Sequence, residues 1–319
     1  MSIISNLEFS LNATMPLFFM MVLGYILRQI GFIDENTTKN INRLVFRIFL
    51  PALLFMDLVN QDFLSIWDKK MVLFCFISTI ISIGLAILLS LTHKEKRERG
   101  EIIQAAYRSG AATLGIAFMS NIYDETSSIA LMILGSVPLY NVAAVIILSI
   151  TSPENDNSVS ASTLFRKTVL DVIKNPIILG IILGMSWSLL HLPLPIVAQK
   201  TLTYMGNLAS PLALIGLGSA FEFIDMKRKW KPTTLVSIAK LFLFCIIFIP
   251  IAISLGFTDQ KLVAILTMLG SATTSSCYIM AKNMGHDGII SSCAVMITTL
   301  LSSFSLTFWL FLLKTLGYI

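Results

Sequence analysis

The most informative segment of this chain is Leu266-Thr-Met-Leu-Gly270-Ser271-Ala272-Thr273-Thr274-Ser275-Ser276-Cys277-Tyr278. It lies inside a long apolar segment, yet small and hydroxylated residues stand where a lipid-facing helix carries Leu or Phe. Gly is a weak helix former, and Ser and Thr hydroxyls compete for backbone hydrogen bonds. The stretch therefore predicts a membrane helix that is interrupted near its centre.

A matching interruption occurs earlier in the chain, in Gln104-Ala-Ala-Tyr-Arg108-Ser109-Gly110-Ala111-Ala112-Thr113. Gly110 recurs as Gly270, which is 160 residues further on. Other landmarks recur at the same offset, namely Pro16 as Pro176, Gly24 as Gly184 and Pro51 as Pro211. Helices interrupted at corresponding positions of two repeats are the sequence pattern of secondary transporters, and they mark the binding site.

The composition is that of a membrane protein. Hydrophobic residues make up 55% of the 319 residues and charged residues 13%, whereas a soluble domain carries roughly 25% charged residues. Apolar runs of about 20 residues, enough to cross a ~30 Å hydrocarbon core, recur along the chain. We predict an all-α membrane protein with ten transmembrane helices, at roughly 12–31, 38–60, 70–91, 101–122, 127–150, 170–190, 196–220, 232–255, 260–281 and 287–313.

The basic residues predict the topology. Most of them fall in the odd-numbered connections, which the positive-inside rule places in the cytoplasm, so both termini are expected outside the plasma membrane. Because each repeat has five spans, the second copy must run inverted relative to the first. We divide the chain into a first repeat (1–155), a cytoplasmic linker (156–168) and a second, inverted repeat (169–319). This distribution of charge explains the basic pI, so the pI does not indicate that the protein binds nucleic acid.

The interruptions supply the candidate binding site. The N-terminus of each second half-helix would present free N–H groups and a partial positive charge at the membrane midplane, which suits an anion such as a carboxylate. The alternative is that the small residues only let unbroken helices pack closely. The candidate substrate-binding residues are Arg108, Ser109, Gly110, Thr113, Asn141, Gly270, Ser271, Thr273, Thr274 and Ser275.

Four polar residues inside predicted spans have two interpretations each. Arg108 either attracts an anion or snorkels to the cytoplasmic face. Lys240 has the same two interpretations, of which snorkelling is the expected one. Asn141 either lines the cavity or bonds a neighbouring helix. Asp57 is expected to be an interfacial acid, with proton coupling as the alternative. The cysteines and histidines show no ligand spacing, so no metal site and no cofactor are expected.

The chain also resembles the auxin efflux carrier family, which includes plant auxin exporters and bacterial malate- and malonate-type permeases. The resemblance runs from end to end, and its most specific part joins spans nine and ten: Gly270-Ser-Ala-Thr-Thr-Ser-Ser-Cys-Tyr-Ile-Met-Ala-Lys282, then Asp287, then Thr298-Thr-Leu-Leu-Ser302. Many members carry prolines at the crossing and Asn in span four. At the matching positions this chain has Gly110, Ala117 and Ala272.

The resemblance implies a 5+5 inverted repeat with crossed, broken helices four and nine, as in the bile-acid symporters and sodium/proton antiporters. It also implies a scaffold domain, a transport domain, elevator-type movement of an organic anion and a homodimer. The expected function is secondary active transport of a small carboxylate, with protons as candidate co-transported ions. The alternatives are a sodium-coupled symporter of an amphipathic anion and a non-transporting membrane sensor. No nucleophile–base pair or Walker motif predicts an enzyme.

Overall fold

The computed structural model describes residues 3–59, 68–111, 123, 127–152 and 161–319. Within these ranges the chain is helical and has no strand, which confirms the predicted all-α class. The helices are α1 Ile3–Gln29, α2 Glu35–Leu44, α3 Leu50–Val59, α4 Lys69–Leu91, α5 Arg99–Tyr107, α6 Ser127–Ile150, α7 Ala161–Lys174, α8 Pro176–Leu189, α9 Ile196–Ser219, α10 Phe223–Arg228, α11 Trp230–Ile238, α12 Phe244–Ser254, α13 Asp259–Gly270, α14 Ser276–Asn283 and α15 Ile289–Thr315. Single π turns join α2 to α3 and α11 to α12.

Four uninterrupted segments of the described chain are long and apolar enough to cross a membrane: Lys69–Leu91, Ser128–Ile150, Trp230–Ser254 and Ile289–Thr315. A fifth is added if α7 and α8, which meet at 57°, form one bent span. Predicted spans four and nine are not recognised by length because α5, α13 and α14 are short pieces of 9, 12 and 8 residues. A single uninterrupted span needs about 20 residues.

Local sequence signals set several helix starts. Asn175 caps α8 by accepting a hydrogen bond from the Ile177 N–H at 2.9 Å, and Pro176 fills the first helical position, where no N–H is needed. Asp68 caps α4 in the same way. The segment 156–168, expected to be a linker, is helical from Ala161 onward because α7 begins there. The rest of that segment lies outside the described residues.

The helices pack into two groups. The frame consists of α1, α2–α3, α8 and α9, in which α1 packs against α9 and α3 packs against α8. The crossing body consists of α4, α5, α6 and α11 to α15. Glycines bring the frame helices close together: a Cβ added to Gly180 would lie 2.6 Å from the Pro51 carbonyl oxygen, and one on Gly218 would overlap the Met21 carbonyl oxygen. Helix α1 also packs against α15 and so connects the two groups.

Two opposite ends of the molecule can be distinguished. At the end that we call the basic face, α1, α7, α9 and α14 end and α2, α5, α8 and α15 begin. Contacts hold this face together, such as the ion pair between Lys229 and Glu98 and the hydrogen bond between His286 and the Leu148 carbonyl. At the other end α4 and α13 begin and are joined by the ion pair of Lys261 with Asp68.

Candidate functional site

Two helix interruptions form the centre of the crossing body. Helix α5 ends at Tyr107, and Arg108 is extended, with φ −75° and ψ 139°. Helix α13 ends at Gly270, where Ser271 is extended with φ −75° and ψ 165°, and α14 begins at Ser276. The interruption predicted within residues 270–275 is therefore present. Gly270 packs so tightly that an added Cβ would lie 2.7 Å from the Cys245 sulfur.

The two interruptions bond to each other. The Gly110 N–H donates to the Ala272 carbonyl at 2.9 Å, and the hydroxyls of Ser109 and Ser271 are hydrogen-bonded. The Thr273 hydroxyl donates to the Ala105 carbonyl at 2.8 Å. These bonds satisfy backbone groups that the interruptions expose, which buried backbone requires.

Arg108 lies at this junction and is 2% exposed. Its Nη2 donates to Asn141 Oδ1 at 2.8 Å and to the Ser276 hydroxyl at 2.9 Å. Its Nη1 donates to Gln104 Oε1 at 3.3 Å and contacts the Met280 sulfur at 2.8 Å. The guanidinium is therefore buried in the crossing body, and the interpretation that Arg108 snorkels to a face is wrong.

All the described partners of Arg108 are neutral. No described carboxylate forms an ion pair with it, and its Nε is buried without a partner in the described part of the chain. Arg is charged at every physiological pH, and a charge inside a membrane protein costs several kcal/mol unless it is paired. The guanidinium therefore has no ion-pair partner among the described residues, and an anion bound beside it would neutralise its charge.

Two small cavities adjoin the junction, and both lie between the frame and the crossing body. One, of about 70 Å³, is lined on the crossing-body side by Arg108, Ser109, Gly110, Asn141, Thr274, Ser275 and Ser276, and on the frame side by residues that include Asp57 and Ser210. The other, of about 50 Å³, shares Gly110, Ser210, Thr274 and Ser275 with the first. The shared residues separate the two cavities.

The N-terminus of α14 points its positive end toward the first cavity. Ser275 and Ser276 line that cavity, and no described carbonyl accepts a hydrogen bond from either backbone N–H. The first turn of a helix carries a partial positive charge, which adds to that of Arg108. The cavity thus combines a guanidinium, free N–H groups and the hydroxyls of Thr274 and Ser275.

A second buried cation lies behind the interruption. Lys240, in the π turn between α11 and α12, is 0% exposed and donates from Nζ to the carbonyls of Leu269 at 2.9 Å and Met268 at 3.3 Å. The interpretation of Lys240 as a snorkelling residue is therefore wrong. Its ammonium group compensates the negative C-terminal end of α13, because carbonyls are left unpaired there.

The structure places the predicted site residues in two settings. Arg108, Ser109, Gly110, Asn141, Thr274 and Ser275 line the first cavity, whereas Gly270, Ser271 and Thr273 lie in the packed junction, where Thr273 also lines the second cavity. Thr113 lies outside the described residues. The sequence analysis did not assign Gln104 and Ser276, both partners of Arg108. Gln104 stands one turn before Arg108, and a polar residue at that spacing is a signal that could have identified it.

The sequence and fold resemble known membrane transporters. A family model described as membrane transport protein matches residues 9–310. The chain is 23% identical over 308 residues to an uncharacterized transporter of Methanothermobacter thermautotrophicus, across 94% of this chain and 97% of that protein. Its fold is similar to the structure of a sodium/proton antiporter from Methanocaldococcus jannaschii, with a TM-score of 0.65, 12% identity, and coverage of 94% of this chain and 97% of that one.

Proposed function

Because this chain belongs to the membrane transport protein family, which is the auxin efflux carrier family that its sequence resembles, we propose that it is a secondary carrier for a small organic anion. The ligand is most simply a carboxylate. The observation that carries the proposal is the buried guanidinium of Arg108, which is bonded only to neutral described groups and lines a cavity. An anion in that cavity would compensate the charge, which makes Arg108 the principal binding residue.

The cavity chemistry favours a carboxylate. A carboxylate oxygen can accept from Nε–H, the one guanidinium N–H of Arg108 without a described partner, and the free N–H groups and hydroxyls at the start of α14 can complete its solvation. A volume of about 70 Å³ fits a small polar group rather than a bulky amphipathic ligand. We therefore place the carboxylate of the substrate between Arg108, Ser275 and Ser276.

The helix packing supports a 5+5 inverted repeat. In the proposed repeat, spans one and two correspond to spans six and seven, so the pairing of α1 with α9 is equivalent to the pairing of α8 with α3. The glycines follow the same relation. An added Cβ at Gly24 would overlap the Ile215 carbonyl oxygen, and at its equivalent Gly184 it would lie 2.8 Å from the Phe55 carbonyl oxygen.

The position of the cavities supports an elevator-type movement. Both lie between the frame and the crossing body, and the charged side of the site belongs to the crossing body. Displacement of the crossing body along the frame would carry Arg108 and the anion together. We propose that the membrane is the plasma membrane, with both termini outside and a homodimer as the assembly.

The competing functions need other chemistry at the site. A sodium-coupled carrier or a cation antiporter needs acidic ligands where the helices cross. The junction here holds the buried cations Arg108 and Lys240, and the one acid among the described lining residues of the two cavities, Asp57, belongs to the frame. No group of three or more His, Cys, Asp or Glu that could hold a metal ion occurs in the described part of the chain. A non-transporting sensor would bind an anion at Arg108 without turnover, so transport assays distinguish it.

The test is transport by purified protein on a solid-supported membrane, with malate, malonate, lactate and indole-3-acetate as substrates, with and without proton and sodium gradients. We expect a saturable current for at least one carboxylate, and its loss in Arg108→Gln. Arg43→Gln, an exposed arginine outside the cavity, is the matched control and should transport normally.

A second variant tests the same site by filling its space instead of removing its charge. In Gly110→Leu the new side chain would fill the space that Gly110 leaves between the two cavities, although a Cβ alone is tolerated at 3.6 Å from the Ala272 carbonyl oxygen. A folded Gly110→Leu protein without current places transport at the junction. Carboxylate currents that persist unchanged in both folded variants would refute the assignment, and silence of the wild-type protein would refute anion transport.

A further inference from the structure

A larger cleft opens at the basic face. It has a volume of about 600 Å³ and lies between the frame and the crossing body. The frame contributes Phe46, Arg47, Asn175 and Pro176, with Lys174 at the end of α7, and the crossing body contributes Ser149, Ser152, Asn283, Met284 and Gly285. The sequence analysis did not assign any of these residues to a site.

The cleft is positively charged. Arg47 and Lys174 line it, both are exposed, and neither side chain makes a hydrogen bond or ion pair to a described residue. No described lining residue is a carboxylate. The neutral polar groups are two serines and two asparagines. A cleft lined by charges of one sign raises the local concentration of ligands of the opposite sign.

A second cleft at the same face differs in charge. It has a volume of about 450 Å³ and is lined by the cations Arg28, Lys39 and Lys282 together with the acids Glu35, Glu222, Asp225 and Asp287. Its charges largely compensate one another, and Glu35 is already paired with Lys39. Of these two clefts, only the first therefore has a net positive charge among its described lining residues.

The positive cleft follows the same helices as the Arg108 cavity. Phe46 lines the cleft, and Leu50, one helical turn further on, lines the cavity; Pro176 lines the cleft and Ile177 lines the cavity. Helix α14 has its first residue at the cavity and its last, Asn283, at the cleft. With a rise of about 1.5 Å per residue, eight residues place the two spaces about 10–12 Å apart.

We propose that this cleft is the vestibule through which the organic anion reaches Arg108 from the basic face, with Arg47 and Lys174 as the residues that concentrate it. The inference rests on the proposed function. The two side chains stay outside the binding cavity, so they raise the rate of encounter without holding the bound anion. Removing them should therefore raise the KM measured from the basic face, and the size of that change should depend on ionic strength.

The experiment uses sealed proteoliposomes of known orientation and the best carboxylate substrate of the wild-type protein. Arg47→Gln combined with Lys174→Gln should raise KM about tenfold when substrate is supplied at the basic face, with kcat and the KM from the opposite face unchanged. Added salt should raise the wild-type KM toward that of the variant. Arg43→Gln combined with Lys94→Gln removes the same charge from exposed positions outside the cleft and should behave as wild type.

Several outcomes would overturn the inference while leaving the proposed function intact. One is a transporting double variant whose KM is unchanged at the basic face, and another is an equal rise at both faces. A third is a wild-type dependence on phosphatidylglycerol over phosphatidylcholine that the double variant loses without a change in KM, because the cleft would then hold a lipid headgroup. Absence of wild-type transport would instead refute the proposed function itself.

Discussion

At the scale of single residues, the guanidinium of Arg108 is held in place before any ligand binds. Asn141 and Ser276 accept from Nη2 and Gln104 accepts from Nη1, which fixes the plane of the group. A fixed donor loses little conformational freedom on binding, so the interaction with an anion is not offset by ordering of a long side chain. The same arrangement makes the site sensitive to any substitution that supplies an internal anion.

Asn141→Asp should create an internal ion pair with Arg108 and so take the place of a bound anion. The new carboxylate would stand where the Asn141 amide oxygen now lies, 2.8 Å from Arg108 Nη2. A hydrogen bond between charged groups is stronger than one to a neutral group, but the variant loses the bond that Asn141 Nδ2 donates to the Val137 carbonyl at 2.9 Å. We therefore expect thermal stability to change by less than about 1 kcal/mol. Transport of carboxylates should fall at least tenfold. Asn141→Leu, which supplies no charge, should impair transport and lower stability, and wild-type transport by Asn141→Asp would contradict the prediction.

Lys240 allows a second test at the same scale. Lys240→Met and Lys240→Gln both remove the charge, but only glutamine keeps a donor for the Leu269 carbonyl. We expect the glutamine variant to be more stable by about 1 kcal/mol in thermal unfolding, because a buried carbonyl without a donor is costly. Equal stability of the two, or a more stable methionine variant, would show that the bonds to the end of α13 contribute nothing.

At the scale of helices, glycines determine how closely the frame packs. The α1–α9 contact depends on Gly218, whose missing side chain leaves room for the Met21 carbonyl oxygen. The α3–α8 contact depends in the same way on Gly180 and Gly184. Membrane helices lack a hydrophobic driving force between them, so close contact through small residues is what holds them together.

Gly218→Ala should therefore separate α1 from α9. We expect a loss of about 1–3 kcal/mol, the typical cost of overpacking, seen as a lower midpoint of thermal unfolding in detergent. Gly84→Ala in α4 is the matched control, because nothing lies within 4 Å of its added Cβ. Its better helix propensity should make it neutral or up to about 1 kcal/mol more stable. A Gly218→Ala protein as stable as Gly84→Ala would exclude the close contact.

The sequence predicted those features that depend on local chemistry. The interruption at Gly270 follows from small and hydroxylated residues within one segment. Arg108 and Asn141 stand out in the sequence because they are polar residues inside apolar segments, whatever their neighbours in space are. The features that the sequence did not predict depend on packing between distant segments. Lys240 has apolar neighbours in the sequence, but in the folded chain its Nζ donates to two carbonyls, which is why snorkelling was the wrong interpretation. Arg47 became a cleft residue only through contacts among distant helices.

At the scale of the whole molecule, the two halves of the chain are joined at the face opposite the basic one. Asp68 accepts hydrogen bonds from the Lys70 and Met71 N–H groups at the start of α4, and it pairs with Lys261 of α13 at 2.6 Å. The hydrogen bond from Lys261 is the main cause that lowers the pKa of Asp68 below its ordinary 3.8. One carboxylate thus caps a helix of the first half and pairs with a helix of the second.

The stability of this connection should depend on pH. Because the pKa of Asp68 is lower in the folded protein, its contribution is present above pH 3.8 and is lost as the pH falls through the folded value. We expect wild type to exceed Asp68→Asn by about 1 kcal/mol at pH 7, since the pair is partly exposed to water, and the difference to vanish in acid. Lys261→Met should lose only part of this stability difference. A difference that persists unchanged below the folded pKa would contradict this.

The bond between the two interruptions has a consequence for biosynthesis. Ser276, which accepts from Arg108, emerges from the ribosome 168 residues later. At about 5–20 residues per second, the nascent first half waits roughly 8–34 s with its arginine inserted but without that acceptor. During this interval the translocon or a membrane chaperone must shelter the guanidinium from lipid. Ribosome stalling between the two repeats would accordingly leave a half-made protein exposed to membrane quality-control proteases.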